Sequence, residues 1–97
     1  MPSYIILVNW TDQGIRNVRG TLERTGDVAK LAEKHGGNLV QTYWTVGPYD
    51  VVGIAEAPDD ESATAIALEL GSAGNVRTTT MRAYDHEEMS GILQKLG

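Results

Sequence analysis

The chain has 97 residues, of which 41% are hydrophobic and 22% charged, and this composition indicates one globular domain over residues 1–97 and argues against a disordered segment. Its formal net charge of −5 argues against nucleic-acid and anionic-membrane partners, because binding to either depends on basic surface. The absence of cysteine excludes disulfides and thiolate sites, and the first residues have no basic segment and too short an apolar run for a signal peptide or membrane span, so we expect a cytoplasmic protein.

The first predicted element is a strand over Tyr4 to Val8. These residues are almost all apolar and mostly β-branched, which is typical of a central strand covered on both faces. Thr11 then has the hydroxyl expected of a helix N-cap. Asp12 follows in the first turn, where a negative charge suits the helix dipole.

The first helix is predicted to be interrupted. Glycines at positions 14, 20 and 26 each cost a helix about 1 kcal/mol relative to alanine, so we expect a break between Arg19 and Asp27. From Asp27 an apolar stripe at helical spacing resumes, and Gly36 and Gly37 end it.

The middle of the chain, Asn38 to Ala57, is predicted to be a β-hairpin. Its first run extends to Val46 and its second begins at Val51, and both are rich in β-branched and aromatic residues. Between them lies Gly47-Pro48-Tyr49-Asp50. Proline presets φ for the first central position of a tight turn and disfavours a helical residue before it, so the chain reverses here.

The last third of the chain predicts a helix, a strand and a final helix. Pro58 and the carboxylates of residues 59–61 favour a helix start, and the glycines from Gly71 to Gly74 end that helix. Val76 to Tyr84, with three consecutive threonines, is predicted to be the fourth strand. The segment Asp85 to Glu88 has capping-box spacing and opens a short helix that packs on the domain's edge or on a neighbour through Met89, Ile92, Leu93 and Leu96.

The element order β-α-β-β-α-β with a C-terminal helix predicts a ferredoxin-like, antiparallel α+β fold. Alternation along the strands makes both sheet faces apolar, with Tyr4, Ile6, Val8 and Trp10 opposite Ile5 and Leu7, and with Leu39 and Tyr43 opposite Val40, Trp44 and Val46. Helices from one domain cover only one face, so we expect a homo-oligomer in which Tyr43 or Trp44 anchors the interface.

Four segments resemble the GYD domain family over nearly the full chain: residues 10–15, 43–50, 56–60 and 74–78. The glycine, tyrosine and aspartate that name the family correspond here to Gly47, Tyr49 and Asp50, with Pro48 interposed. The resemblance implies a small bacterial or archaeal protein, a ferredoxin-like fold related to the dimeric α+β barrels, and no settled activity.

The candidate ligand-binding residues are Trp10, Tyr43, Trp44, Tyr49 and Asp50. In a ferredoxin-like sheet the end of the first strand lies beside the beginning of the third, so we expect Trp10 and Asp50 to meet there and any pocket to lie nearby. Amides of the following helix start are expected to add anion-binding capacity. The alternative role for the aromatics is core or interface packing, and for Asp50 it is hydrogen bonding to turn amides.

No cofactor or metal is expected. His35 and His86 lie at helix ends, the acidic residues 59–61 suit a helix start, and no phosphate-binding glycine loop occurs. Two functions stay open. The first is a homo-oligomeric binding or regulatory domain with a possible small-molecule ligand. The second is a cofactor-independent enzyme that oxidises or isomerises a small aromatic substrate, although a strand-borne histidine base is missing.

Overall fold

The computed structural model describes every residue from Met1 to Gly97. Its four strands are β1 (Ser3–Trp10), β2 (Asn38–Trp44), β3 (Val51–Glu56) and β4 (Val76–Ala83), and its four α-helices are α1 (Asp12–Arg16), α2 (Thr21–Lys34), α3 (Asp60–Ser72) and α4 (His86–Leu93). The strands form one antiparallel sheet in the order β2-β3-β1-β4. This confirms the predicted ferredoxin-like topology. None of the helices has the length and apolar character needed to cross a membrane.

The core lies between one face of the sheet and the layer formed by α2 and α3. Tyr4 and Ile6 of β1 are buried there, and residues directly opposite them on β3 share that face, Ala55 beside Tyr4 and Gly53 beside Ile6. Ile66 of α3 is also buried. Ten of the 97 residues are buried in all, so the isolated chain has a small core for its length.

A β-bulge in β2 interrupts the expected alternation of side chains between the two faces of the sheet. Leu39 pairs with Ala55 and Gln41 with Ile54, so Val40 is an extra residue in the ladder. Each β2 residue after the bulge therefore points to the face opposite the one that simple alternation predicts. Leu39 therefore shares the helix-covered face with Trp44, whereas Tyr43 lies on the opposite face, and the predicted grouping of Leu39 with Tyr43 is wrong.

The first helical region is interrupted, as predicted, but earlier in the chain than expected. α1 ends at Arg16, a single 3₁₀ turn covers Val18–Gly20, and α2 then continues through Gly26 without a break. Gly26 has open space around it, so its only cost is helix propensity, which the packing of α2 overcomes. α1 lies so close to the turn before β4 that a side chain at Gly14 would collide with the Asn75 carbonyl.

The second face of the sheet, called the open face below, is formed by residues of all four strands. Its centre is Ile5 and Leu7 of β1 with Val52 and Ile54 of β3, all only partly buried. At its sides Tyr43 is 56% exposed and Met81 is 42% exposed. No residue of α4 is buried, so this helix does not close off the open face from solvent. The sheet thus has two apolar faces, as predicted, and helices pack on one of them.

A charged hydrogen-bond network fastens α3 and β4 to the buried end of β1. The Tyr4 hydroxyl donates to Asp60 Oδ1 at 2.5 Å, and the Arg82 guanidinium lies over the Tyr4 ring at 5.9 Å and pairs with Glu88 at 3.0 Å. Burial, together with the Asp60 carboxylate, raises the pKa of Tyr4 from 10.0 to about 12. The folded state therefore strongly favours the neutral phenol.

We expect Tyr4 to make folding sensitive to alkali. Its contribution to the free energy of unfolding is complete below pH 10 and is lost as the pH rises towards about 12, because the unfolded phenol ionises first. Tyr4→Phe should lower stability at pH 7 by about 1–2 kcal/mol and flatten the fall in stability above pH 10. Urea unfolding at pH 7 and along an alkaline series measures both, with Tyr84→Phe as control. Equal alkaline slopes for wild type and Tyr4→Phe would contradict the assignment.

Candidate functional site

The end of β1 is joined to the β2–β3 turn by three hydrogen bonds. The Trp10 amide donates to Asp50 Oδ2 at 2.8 Å, the Asp50 amide donates to the Val8 carbonyl at 2.8 Å, and Asn9 Nδ2 donates to the Pro48 carbonyl at 2.7 Å. Trp10 and Asp50 are therefore neighbours, as the strand order predicted. Asp50 serves as an acceptor for a backbone amide 40 residues away in sequence, which orients the start of β3.

The turn itself is longer than the four-residue reversal expected. β2 ends at Trp44, not at Val46, and the connection closes where the Thr45 amide donates to the Asp50 carbonyl at 2.9 Å. The Thr45 hydroxyl also donates to the Tyr49 carbonyl at 2.7 Å. Gly47 has φ of +140°, a backbone conformation that favours glycine. Val46 is consequently fully exposed at the tip of the loop.

The five candidate ligand-binding residues do not line a single pocket. Trp10 lines the cavity described below, whereas Trp44 lies at the edge of the helix-covered face, where its indole N–H donates to Thr21 Oγ1 at 3.0 Å. Tyr43 points to the open face and Tyr49 is half-buried in the turn. The structure thus brings Trp10 and Asp50 together and places the three other aromatics elsewhere.

A cavity of about 430 Å³ lies between α2, α3 and the sheet, at the end where Trp10 leaves β1. Its position matches the predicted one, but most of its wall comes from the helices. Its apolar lining comprises Val8, Trp10, Val28, Leu31, Val51, Leu70, Ala73 and Val76, and its polar lining comprises Thr21, Arg24, Thr25, Asp27, Glu69 and Asn75. This volume and mixed lining are typical of small-molecule sites.

Three amides around the start of α1 are hydrogen-bonded within the chain and are not available to a ligand. The Thr11 hydroxyl accepts from the Gly14 amide at 3.1 Å, the Thr11 amide donates to the Asn75 carbonyl at 3.1 Å, and Asp50 occupies the Trp10 amide. These bonds complete the helix cap and fasten it to the turn before β4. The predicted anion site is therefore reduced to the two remaining amides of the first turn, and anion binding there stays a prediction.

Some titratable groups outside the cavity have structural partners. Asp59 caps α3, and the hydrogen bond from the Ser62 amide to Asp59 Oδ1 at 2.8 Å lowers the pKa of that carboxyl. His35 lies 3.2 Å from Glu69, and His86 is exposed at the start of α4. No group of three or more histidine and acidic side chains is placed to hold a metal ion.

Comparison with known proteins identifies relatives of the chain. A family model described as the GYD domain matches residues 4–93. A Thermus thermophilus protein named "Glutamine synthetase and cystathionine beta-lyase binding protein" is 36% identical over 84 residues, which cover 86% of this chain and 88% of that protein. The crystal structure of TTHA0845, also from Thermus thermophilus, has a TM-score of 0.56 at 20% identity, covering 88% of this chain and 95% of that one, and shows the likeness of fold.

We expect Asp50 to act through the hydrogen bond to the Trp10 amide. Asp50→Ala leaves that amide without its acceptor in a partly buried position, which should cost about 1–3 kcal/mol of stability. Asp50→Asn retains an acceptor oxygen and removes the charge, so it should cost clearly less. Urea unfolding followed by tryptophan emission measures both variants. Equal losses for alanine and asparagine would indicate that the charge, not the hydrogen bond, matters.

Proposed function

Because this chain belongs to the GYD domain family, we propose that it is a small homo-oligomeric binding and regulatory domain that associates through its open face. The observation that carries the proposal is the apolar character of that face. Ile5, Leu7, Val52 and Ile54 form its centre. A contiguous apolar patch of this kind on a folded domain typically marks an interaction surface.

A second copy of the chain is the binding partner that suits the open face best. The charged residues of the face stand near opposite ends of the sheet, Glu56 where β3 ends and Arg77 where β4 begins. A copy turned about a two-fold axis meets the apolar centre with its own and brings unlike charges towards each other. Sheet-on-sheet packing would then give the domain the second apolar layer that its own helices do not provide.

The overall dimensions of the chain support the same proposal. Its radius of gyration is 14.5 Å, whereas a compact domain of this length has about 13 Å. The longest dimension is 51 Å against 18 Å for the shortest. α4 and the residues after it expose Met89, Leu93 and Leu96, which is compatible with the prediction that this helix packs on the domain's edge or on a neighbour. An assembled form would bury these side chains.

Protein partners beyond the chain itself are suggested by the named relative. By analogy with that Thermus thermophilus protein, the assembled domain binds metabolic enzymes, and glutamine synthetase and cystathionine beta-lyase are the first to test. Purified enzyme mixed with the domain and separated by size-exclusion chromatography tests each pairing directly.

The proposal also includes a small-molecule site at the Trp10 end of the sheet. Trp10 lines the cavity there and Asp50 fixes the Trp10 backbone, while Tyr43 fits the oligomer interface better than a ligand wall. Trp44 and Tyr49 lie outside the cavity lining and would border the site from the β2 edge and the turn. Neither histidine lines the cavity, so the histidine base that a cofactor-independent enzyme would use is not found there.

We expect Tyr43 to be an anchor of the proposed interface. Tyr43→Asp places a charge on the open face and should weaken self-association at least tenfold, because burying an unpaired carboxylate is costly and interface aromatics carry much of the binding energy. Sedimentation velocity across a concentration series measures the effect. The control is Leu68→Asp, which changes a side chain that is 68% exposed on α3.

Two results would contradict the proposal. One is a wild-type chain that stays monomeric at high micromolar concentration. The other is a Tyr43→Asp variant that associates as tightly as both wild type and Leu68→Asp, which would place the interface on another surface.

A further inference from the structure

We propose that the cavity binds a small monocarboxylic acid with an apolar, aromatic-sized body, and that Arg24 of α2 pairs with its carboxylate. This inference rests on the small-molecule part of the proposed function and adds the chemical class of the ligand and the residue that recognises it. Its starting point is a cationic group that has no partner within the chain.

Arg24 lines the cavity, and its Nη2 is buried without any hydrogen-bond acceptor. The three ion pairs of the structure are Lys34–Glu69, His35–Glu69 and Arg82–Glu88, and none includes Arg24. A buried guanidinium nitrogen without an acceptor is unfavourable, because it has lost its water and gained nothing in return. An anionic ligand in the cavity supplies an acceptor to this guanidinium once the side chain turns enough to bring Nη2, which water does not reach, to the cavity surface.

The local backbone makes room for this guanidinium. Arg24 Nη1 lies 3.1 Å from the position that a Cβ on Gly20 would occupy, so the side chain folds back over the 3₁₀ turn that precedes α2. The glycine that helps to interrupt the helical region therefore also provides the space that the guanidinium needs. Thr21 and Thr25, which flank Arg24 on α2, line the same cavity and add hydroxyl groups beside it.

The other charges that face the cavity favour a single negative charge on the ligand. Glu69 is already paired with Lys34 at 3.3 Å and with His35 at 3.2 Å, and Asp27 also lines the cavity but belongs to no ion pair. Arg24 is the only cationic residue in the lining, so one carboxylate is neutralised whereas the second charge of a phosphate dianion would face these acidic groups. Eight of the fourteen lining residues are hydrophobic, which suits an apolar body attached to that carboxylate.

The test is calorimetric titration with 2-naphthoate and with its uncharged amide, 2-naphthamide. These probes have the same ring system and differ in charge at one end. They are titrated into wild type, Arg24→Gln and Arg19→Gln, the last of which removes the same charge from an exposed position outside the cavity. Circular dichroism melting confirms that each variant folds, and Arg24→Lys serves as a second cavity variant that retains the charge but not the planar fork.

We expect wild type and Arg19→Gln to bind 2-naphthoate at least tenfold more tightly than 2-naphthamide. Arg24→Gln should lose that preference while binding the amide as wild type does, and Arg24→Lys should be intermediate. Because the guanidinium is unpaired without ligand, Arg24→Gln should melt at or above the wild-type temperature. Equal affinity of wild type for both probes, or an undiminished preference in Arg24→Gln, overturns the carboxylate assignment and leaves the pocket in place. Failure of wild type to bind either probe overturns the pocket as well.

Discussion

A sheet with two apolar faces and helices on only one of them is the constraint on which the rest of this structure depends. α2 and α3 cover the face that carries Tyr4 and Ile6. No other helix of the chain packs closely enough on the sheet to cover the opposite face. Because helices cover only one face, the core is small, the apolar side chains of the open face are exposed and α4 is not packed against the sheet. The proposed association of two copies through the open face would add apolar burial without lengthening the chain.

Local signals made much of the fold predictable. The Thr11 cap, the capping box of Asp85 and Glu88 and the meeting of Trp10 with Asp50 follow from hydrogen-bonding chemistry and strand order, and the structure contains each of them. The bulge at Val40 was not predictable, since no glycine or proline marks it and it shows only in the register of β2 against β3. That one residue changed which face Tyr43 occupies.

The candidate site was predicted at the correct end of the sheet but with the wrong companions for Trp10. The predicted companions of Trp10 lie in or near the β2–β3 turn, whereas the cavity wall comes largely from α2 and α3. Arg24 escaped notice because an unpaired guanidinium is recognisable only when every possible partner has been placed in space. Val51 lines the cavity and its neighbour Val52 lies on the open face, so the proposed ligand site and interface are one residue apart in β3.

The central claim is that the open face is buried between copies of the chain. Methyl NMR with a soluble gadolinium relaxation agent measures this directly, because methyl groups that water reaches relax fast and buried ones do not. We predict that the methyl groups of Ile5, Leu7, Val52 and Ile54 are protected at high protein concentration and lose that protection on dilution, while Leu68 relaxes fast throughout. Open-face methyl groups that relax as fast as Leu68 at every concentration would contradict it.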